Sequence, residues 1–166
     1  MNEFVGHEIY SIITNAHLLI KPLQKINGNS ESLVDLEGDK LGELLRSIDR
    51  LDKKAPYIIN NENSSWLIWY EHLKDSTQIT IKNILSRYFH LDSELIKLVT
   101  RIENSLFFLQ WNMLYDFDRD KTFGVYEIQI RTYLNLIKDL EDYAEENLKK
   151  NQYIRSEYIG FKKNSD

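Results

Sequence analysis

Apolar residues recur at steps of three and four along most of the chain, the spacing that places them on one face of a helix. Over residues 3–20 the positions Phe4, Val5, Ile9, Ile12, Ile13, Ala16, Leu19 and Ile20 form such a stripe. They predict an amphipathic helix, ended by Pro22 and the Asn27-Gly28-Asn29 cluster. A second helix is expected after a cap at Ser30 or Ser32, with Leu33, Leu36, Leu41, Leu44, Leu45, Ile48 and Leu51 as its apolar face. Gly38 and Gly42 fall on one side of it and suit a close approach to a neighbour, and Lys53-Lys54-Ala55-Pro56 closes it.

Residues 57–63 read as a polar loop leading to capping serines at Ser64 and Ser65. A third helix is expected over about 65–89, with Trp66, Trp69, Tyr70, Leu73, Ile81 and Ile84 inward. His90-Leu91-Asp92-Ser93 reads as a corner in which Asp92 or Ser93 caps the next helix, one unbroken helix being the alternative. The fourth helix, about 93–115, carries the stripe Leu95, Leu98, Val99, Ile102, Leu106, Leu109 and Met113. Phe107, Phe108 and Trp111 widen that stripe, so the helix must be central or meet a partner. A fifth, about 123–150, turns Val125, Ile128, Ile130, Tyr133, Ile137 and Leu140 inward. Short connections between long helices imply antiparallel neighbours. The expected fold is all-α: an up-and-down antiparallel helical bundle of four main helices plus one short extra helix. It occupies a single domain over residues 1–150, with a frayed tail over 151–166.

Composition agrees with helices, with 6 Gly and 2 Pro in 166 residues. A net charge of −5 argues against a protein held by phosphate contacts, so no nucleic acid is expected as partner. The absence of cysteine excludes disulfides, thiolate metal sites and cysteine nucleophiles. Met1-Asn2-Glu3-Phe4 lacks the basic and apolar regions of a signal peptide, and no apolar run reaches the roughly 18–20 residues that span a bilayer. These features lead to the expectation of a cytoplasmic protein without a membrane partner.

One segment spaces its side chains as a chemistry requires: Asp116-Phe117-Asp118-Arg119-Asp120-Lys121-Thr122-Phe123-Gly124-Val125-Tyr126-Glu127. Its twelve residues resemble an EF-hand calcium loop, which places ligands at loop positions 1, 3, 5, 7 and 12. The resemblance implies calcium held by the carboxylates of Asp116, Asp118, Asp120 and Glu127 and the backbone carbonyl of Thr122. Lys121 stands where that family has glycine, and Gly124 offers no side-chain oxygen at position nine. The best second loop begins at Asn60 and closes at Glu71 with poor ligands. The other reading of the segment is a helix hairpin, with Asp120 or Thr122 capping the outgoing helix and Glu127 in its first turn.

No catalytic motif is present. His7, His17, His72 and His90 do not follow the metal spacings of helical bundles. A non-enzymatic bundle that acts by protein–protein interaction, as adaptor, inhibitor or immunity-type protein or as a homo-oligomer, is the first functional expectation. Its sequence support is the aromatic density of Trp66-Leu67-Ile68-Trp69-Tyr70 and Phe107-Phe108-Leu109-Gln110-Trp111. Calcium binding at 116–127 is the alternative; otherwise no cofactor is expected. An enzyme assembled from distant residues such as Tyr70, Glu71, His72 and Arg101 is the third reading.

Overall fold

The computed structural model describes residues 3–28, 38–114 and 120–148. The expected tail over 151–166 lies outside the described residues, as do Leu33 and Leu36 of the expected second helix. The described chain is predominantly helical. Its elements are α1 (Glu3–Ile26), α2 (Lys40–Arg46), β1 (Ile58–Ile59), β2 (Glu62–Asn63), α3 (Trp66–Leu85), α4 (Ser93–Glu103), α5 (Leu106–Leu109) and α6 (Glu127–Leu148). Short 3-10 turns occupy Tyr88–His90, Trp111–Leu114 and Phe123–Tyr126.

Four of these helices form the bundle. Side chains link Glu8 to Arg87, Asn15 to Ser76 and Thr77, and Leu19 to Tyr70, so α1 and α3 run in opposite directions. Asp92 meets Tyr143 and Arg101 meets Asp139, so α4 and α6 are antiparallel as well. α1 also packs along α6, and α4 packs on α3. The shared core includes Ile9, Ile12, Ala16, Tyr70, Ile81, Val99, Ile102, Tyr133, Ile137 and Leu140, each almost wholly removed from water. Each branched or aromatic side chain buried there contributes about 1.5–3 kcal/mol against conformational entropy. Among the described residues no helix is long and apolar enough to cross a membrane.

Local chemistry sets the helix limits. The Ser65 hydroxyl accepts from the Ile68 amide at 3.3 Å and starts α3. The Asp92 carboxylate accepts from the Leu95 amide at 2.9 Å and starts α4, so the corner reading of residues 90–93 holds. α1, in contrast, continues through Pro22 to Ile26. Pro22 lacks the amide that would complete the helical ladder, but Leu23 beyond it is fully buried, and that burial offsets the loss.

The structure also breaks what the apolar pattern presents as one helix. α4 stops at Asn104, whose side-chain amide donates back to the Thr100 carbonyl at 3.0 Å. The chain resumes as α5 from Ser105. The break rotates the following residues, so Phe107 and Trp111 enter the core while Leu109 turns outward. A similar phase shift precedes α6. The 3-10 turn of Phe123–Tyr126 advances three residues per turn rather than 3.6, and it leaves Gln129 and Ile130 buried and Ile128 exposed.

Burial opposes ionisation of Asp92, yet hydrogen bonds from the Tyr143 hydroxyl and from the Leu95 and Glu94 amides outweigh it and hold the carboxyl below the usual range. A depressed folded-state value means stability that is present above the unfolded aspartate value, ~4, and lost as pH falls through the folded value. Asp92→Ala is expected to cost about 1 kcal/mol in urea unfolding at neutral pH. The gap to the wild type should close in acid below the folded-state value; a gap that persists there would assign the effect to packing instead.

Candidate functional site

The aspartate segment forms the corner before α6. Asp116 and Asp118 lie outside the described residues. The remaining three predicted ligands can be placed. The Asp120 carboxylate accepts from the Thr122 amide at 2.8 Å and from the Thr122 hydroxyl at 2.7 Å. The Thr122 hydroxyl in turn accepts from the Gly124 amide at 3.1 Å. This is the capping arrangement that short polar side chains make at a turn. It holds the Asp120 carboxyl below its usual range, through the Thr122 hydrogen bonds first and then Arg50 and Arg46, against the opposing effect of burial.

Glu127 lies one turn further on and faces two cations. Its carboxylate contacts Arg131 at 2.9 Å and Arg46 at 3.5 Å. Arg131 also donates to the Gly38 carbonyl at 2.8 Å, so this chain of charges joins α2 to α6. Among the described residues no group of three or more carboxylate or imidazole side chains is placed to hold a metal ion. A cation bound by Glu127 would have to displace its arginine contacts, which are partly exposed and each worth about 1 kcal/mol or less.

Arg50 holds the corner from behind. It is only 7% exposed. Its guanidinium donates to the carbonyls of Lys121 at 3.2 Å and Asp120 at 2.9 Å, and it lies over the Tyr126 ring at 5.7 Å. Its backbone amide donates to Lys121 at 2.8 Å, and its carbonyl accepts from the Leu67 amide at 2.9 Å. One residue thereby ties together the turn after α2, the start of α3 and the corner before α6. Sequence reading misses it because an arginine in Asp49-Arg50-Leu51-Asp52 looks like solvated charge. Gly42 and Gly124 allow the close approach of Arg46 and Glu127 beside it. A Cβ on Gly124 would lie 2.7 Å from the Arg46 Cγ, and one on Gly42 would lie 2.5 Å from the ends of Arg46 and Glu127.

A second surface lies where the polar loop was expected. Residues Asn60 and Asn61 both have positive φ, 51° and 65°, and join β1 to β2 in a two-residue turn. Such turns match the twist of a hairpin, and asparagine tolerates the left-handed region. The best second calcium loop of the sequence is thus a hairpin turn followed by a helix cap. The hairpin leans on α3 through Tyr57, whose ring stacks on His72 at 4.5 Å and meets Trp69 at 5.4 Å. Ile58 is 67% exposed and Ile68, one turn before His72, is 44% exposed. Ile79 continues the same outward stripe of α3 and is also exposed.

Of the residues named for a possible enzyme, Tyr70, His72 and Arg101 have separate surroundings. Tyr70 is buried, its hydroxyl donating to the Leu19 carbonyl, and burial pushes its phenol far up. His72 lies outward against Tyr57, and Arg101 pairs with Asp139 at 3.3 Å on α6. No family model matches the chain, and no significant match is found among curated proteins or solved structures.

Arg50→Lys keeps the charge but cannot span two carbonyls and an aromatic face. It is expected to cost about 2 kcal/mol, the worth of a charged hydrogen bond in a buried site. Gly124→Ala should cost about 1–2 kcal/mol by overpacking. Gly42→Ala should fall near zero, because a gain of about 1 kcal/mol in helix propensity offsets a loosened surface pair. Urea unfolding of the three variants checks this ranking; an Arg50→Lys value no larger than that of Gly42→Ala would remove Arg50 from its role.

Proposed function

We propose that this chain is a non-enzymatic helical-bundle protein that acts by protein–protein contact through the hairpin and the outward face of α3. The observation that carries the reading is that Ile58 and Ile59 on the hairpin and Ile68 on α3 are exposed, while the Tyr57 ring before the hairpin stacks on His72 of the same helix. Single exposed apolar residues are ordinary on a protein surface, whereas a group anchored by rigid rings is not. Ring stacking fixes Tyr57 and His72 before any partner arrives, so little side-chain entropy remains to be lost on binding. The tight hairpin presents its isoleucines on a short backbone loop for the same reason. Adaptor, inhibitor and immunity-type roles all use such a surface, as does a homo-oligomer.

The test pairs wild type with an Ile58→Ser/Ile68→Ser variant. Both residues are exposed, so melting temperature and helix content should stay unchanged. The wild type should either associate with itself in light scattering or retain a defined protein from native lysate, and the variant should lose that association. A monomeric wild type whose retained proteins are the same as the variant's would refute the proposal.

Calcium binding at the 116–127 corner is the alternative proposal and has a separate readout. A ligand that binds only the native state must raise its melting temperature. Millimolar calcium added to chelator-treated protein should then stabilise it, and Asp120→Asn should abolish the shift. An unchanged melting temperature would eliminate the site.

A further inference from the structure

The chain contains one Asn-Gly pair, Asn27-Gly28, at the end of α1. Gly28 adopts φ +65°, the left-handed conformation that commonly closes a helix, and apart from its immediate chain neighbours nothing crowds the place its Cβ would take. Asn27 is exposed. An unsubstituted glycine gives its backbone nitrogen the least obstructed approach to the preceding side-chain carbonyl carbon. Three hydrogen bonds in the fold oppose that approach. The Asn27 side-chain amide donates to the Leu23 carbonyl at 2.9 Å and to the Ser47 hydroxyl at 3.2 Å. The Gly28 amide donates to the Lys25 carbonyl at 3.3 Å. Together they draw the asparagine back along its own helix and occupy the attacking nitrogen.

We propose that Asn27 is a site of spontaneous deamidation, restrained in the native protein by the last turn of α1 and its tie to Ser47, and released when that turn opens. The Gly28 nitrogen attacks Asn27 Cγ and a new C–N bond forms. The Cγ–Nδ2 bond breaks, and the amide leaves as ammonia with the proton lost from Gly28. The product is a five-membered succinimide. Water adds to either of its carbonyl carbons and opens the ring to aspartate or isoaspartate at position 27.

The modification changes what the position can do. Asn27 is a donor to Leu23 and Ser47, whereas a carboxylate is an acceptor only. It would face the Leu23 carbonyl at the C-terminal end of α1, where the helix dipole disfavours negative charge. Ser47 also closes α2, its hydroxyl donating to the Leu44 carbonyl at 2.7 Å. Deamidation therefore removes the donor that links α1 to Ser47, and a carboxylate could regain the link only by drawing the Ser47 hydroxyl away from the Leu44 carbonyl. Local opening of a terminal turn needs far less free energy than global unfolding, so the reaction is accessible to the folded population.

The full-length protein is incubated at mildly alkaline pH, and peptide mapping by mass spectrometry follows every asparagine. Position 27 is expected to convert ahead of the exposed Asn60, Asn61, Asn83 and Asn104. Urea-unfolded chain should convert faster than native chain. Ser47→Ala should accelerate the native reaction about fivefold, the change that one neutral hydrogen bond is worth, and leave the unfolded rate alone. Gly28→Ala should suppress it in both states. If Ser47→Ala does not fold, the native wild type in graded sub-denaturing urea replaces it, and the rate should rise with opening. No lead for position 27, or a rate indifferent to both Ser47→Ala and urea, would overturn the proposal.

Discussion

A buried cation must be surrounded by oxygen, and Arg50 meets that requirement with backbone carbonyls from the corner before α6. These two contacts go to main-chain carbonyls, so they hold the backbone of the corner directly. The same residue pairs by its own backbone with Lys121 and with Leu67. The turn after α2, the first turn of α3 and the entry to α6 are therefore set relative to one another at one point. The arginine pairs of Glu127, at the start of α6, are built on this registered corner.

The aspartate corner gains its meaning from this arrangement. Spacing alone places alternating carboxylates where a cation could be held. In the fold, Asp120 spends its oxygen on Thr122, and Glu127 is met by Arg46 and Arg131. Turn closure and charge pairing account for both residues in structural terms, and calcium binding has to compete with those partners. The hairpin surface has the opposite character. Its isoleucines are exposed, and Tyr57 and His72 are already held by their mutual stacking. That contrast is the reason the interaction reading leads.

Breaks in helical phase decide much of what is exposed. The interruption at Asn104 and the 3-10 turn before α6 each rotate an apolar sequence by a fraction of a turn. Leu109 and Ile128 move out while Phe107, Trp111 and Gln129 move in. A buried aromatic cluster rewards this rotation, with Phe107 stacked on Tyr133 at 4.4 Å and Trp111 against Tyr126 at 4.3 Å. The signal in the sequence was the polar Asn104-Ser105 pair inside an apolar run, whose side chains favour helix ends over helix interiors.

The sequence by itself determined the helical class, the antiparallel bundle, the core faces of α1 and α3 and most of that of α6, and a cap within each of the pairs Ser64-Ser65 and Asp92-Ser93. These follow from local rules, a repeat of 3.6 residues and a side chain that accepts from an amide three residues on, and local rules are legible in one dimension. Tertiary structure decided the continuation of α1 past Pro22, where burial of Leu23 and Gln24 opposes the cost of the missing amide. It decided the hairpin at Asn60-Asn61, where stacking of Tyr57 on α3 supports strands too short to persist alone. It also decided the role of Arg50, whose partners lie some seventy residues away. No local pattern encodes such a contact, because its energy exists only when three distant segments arrive together.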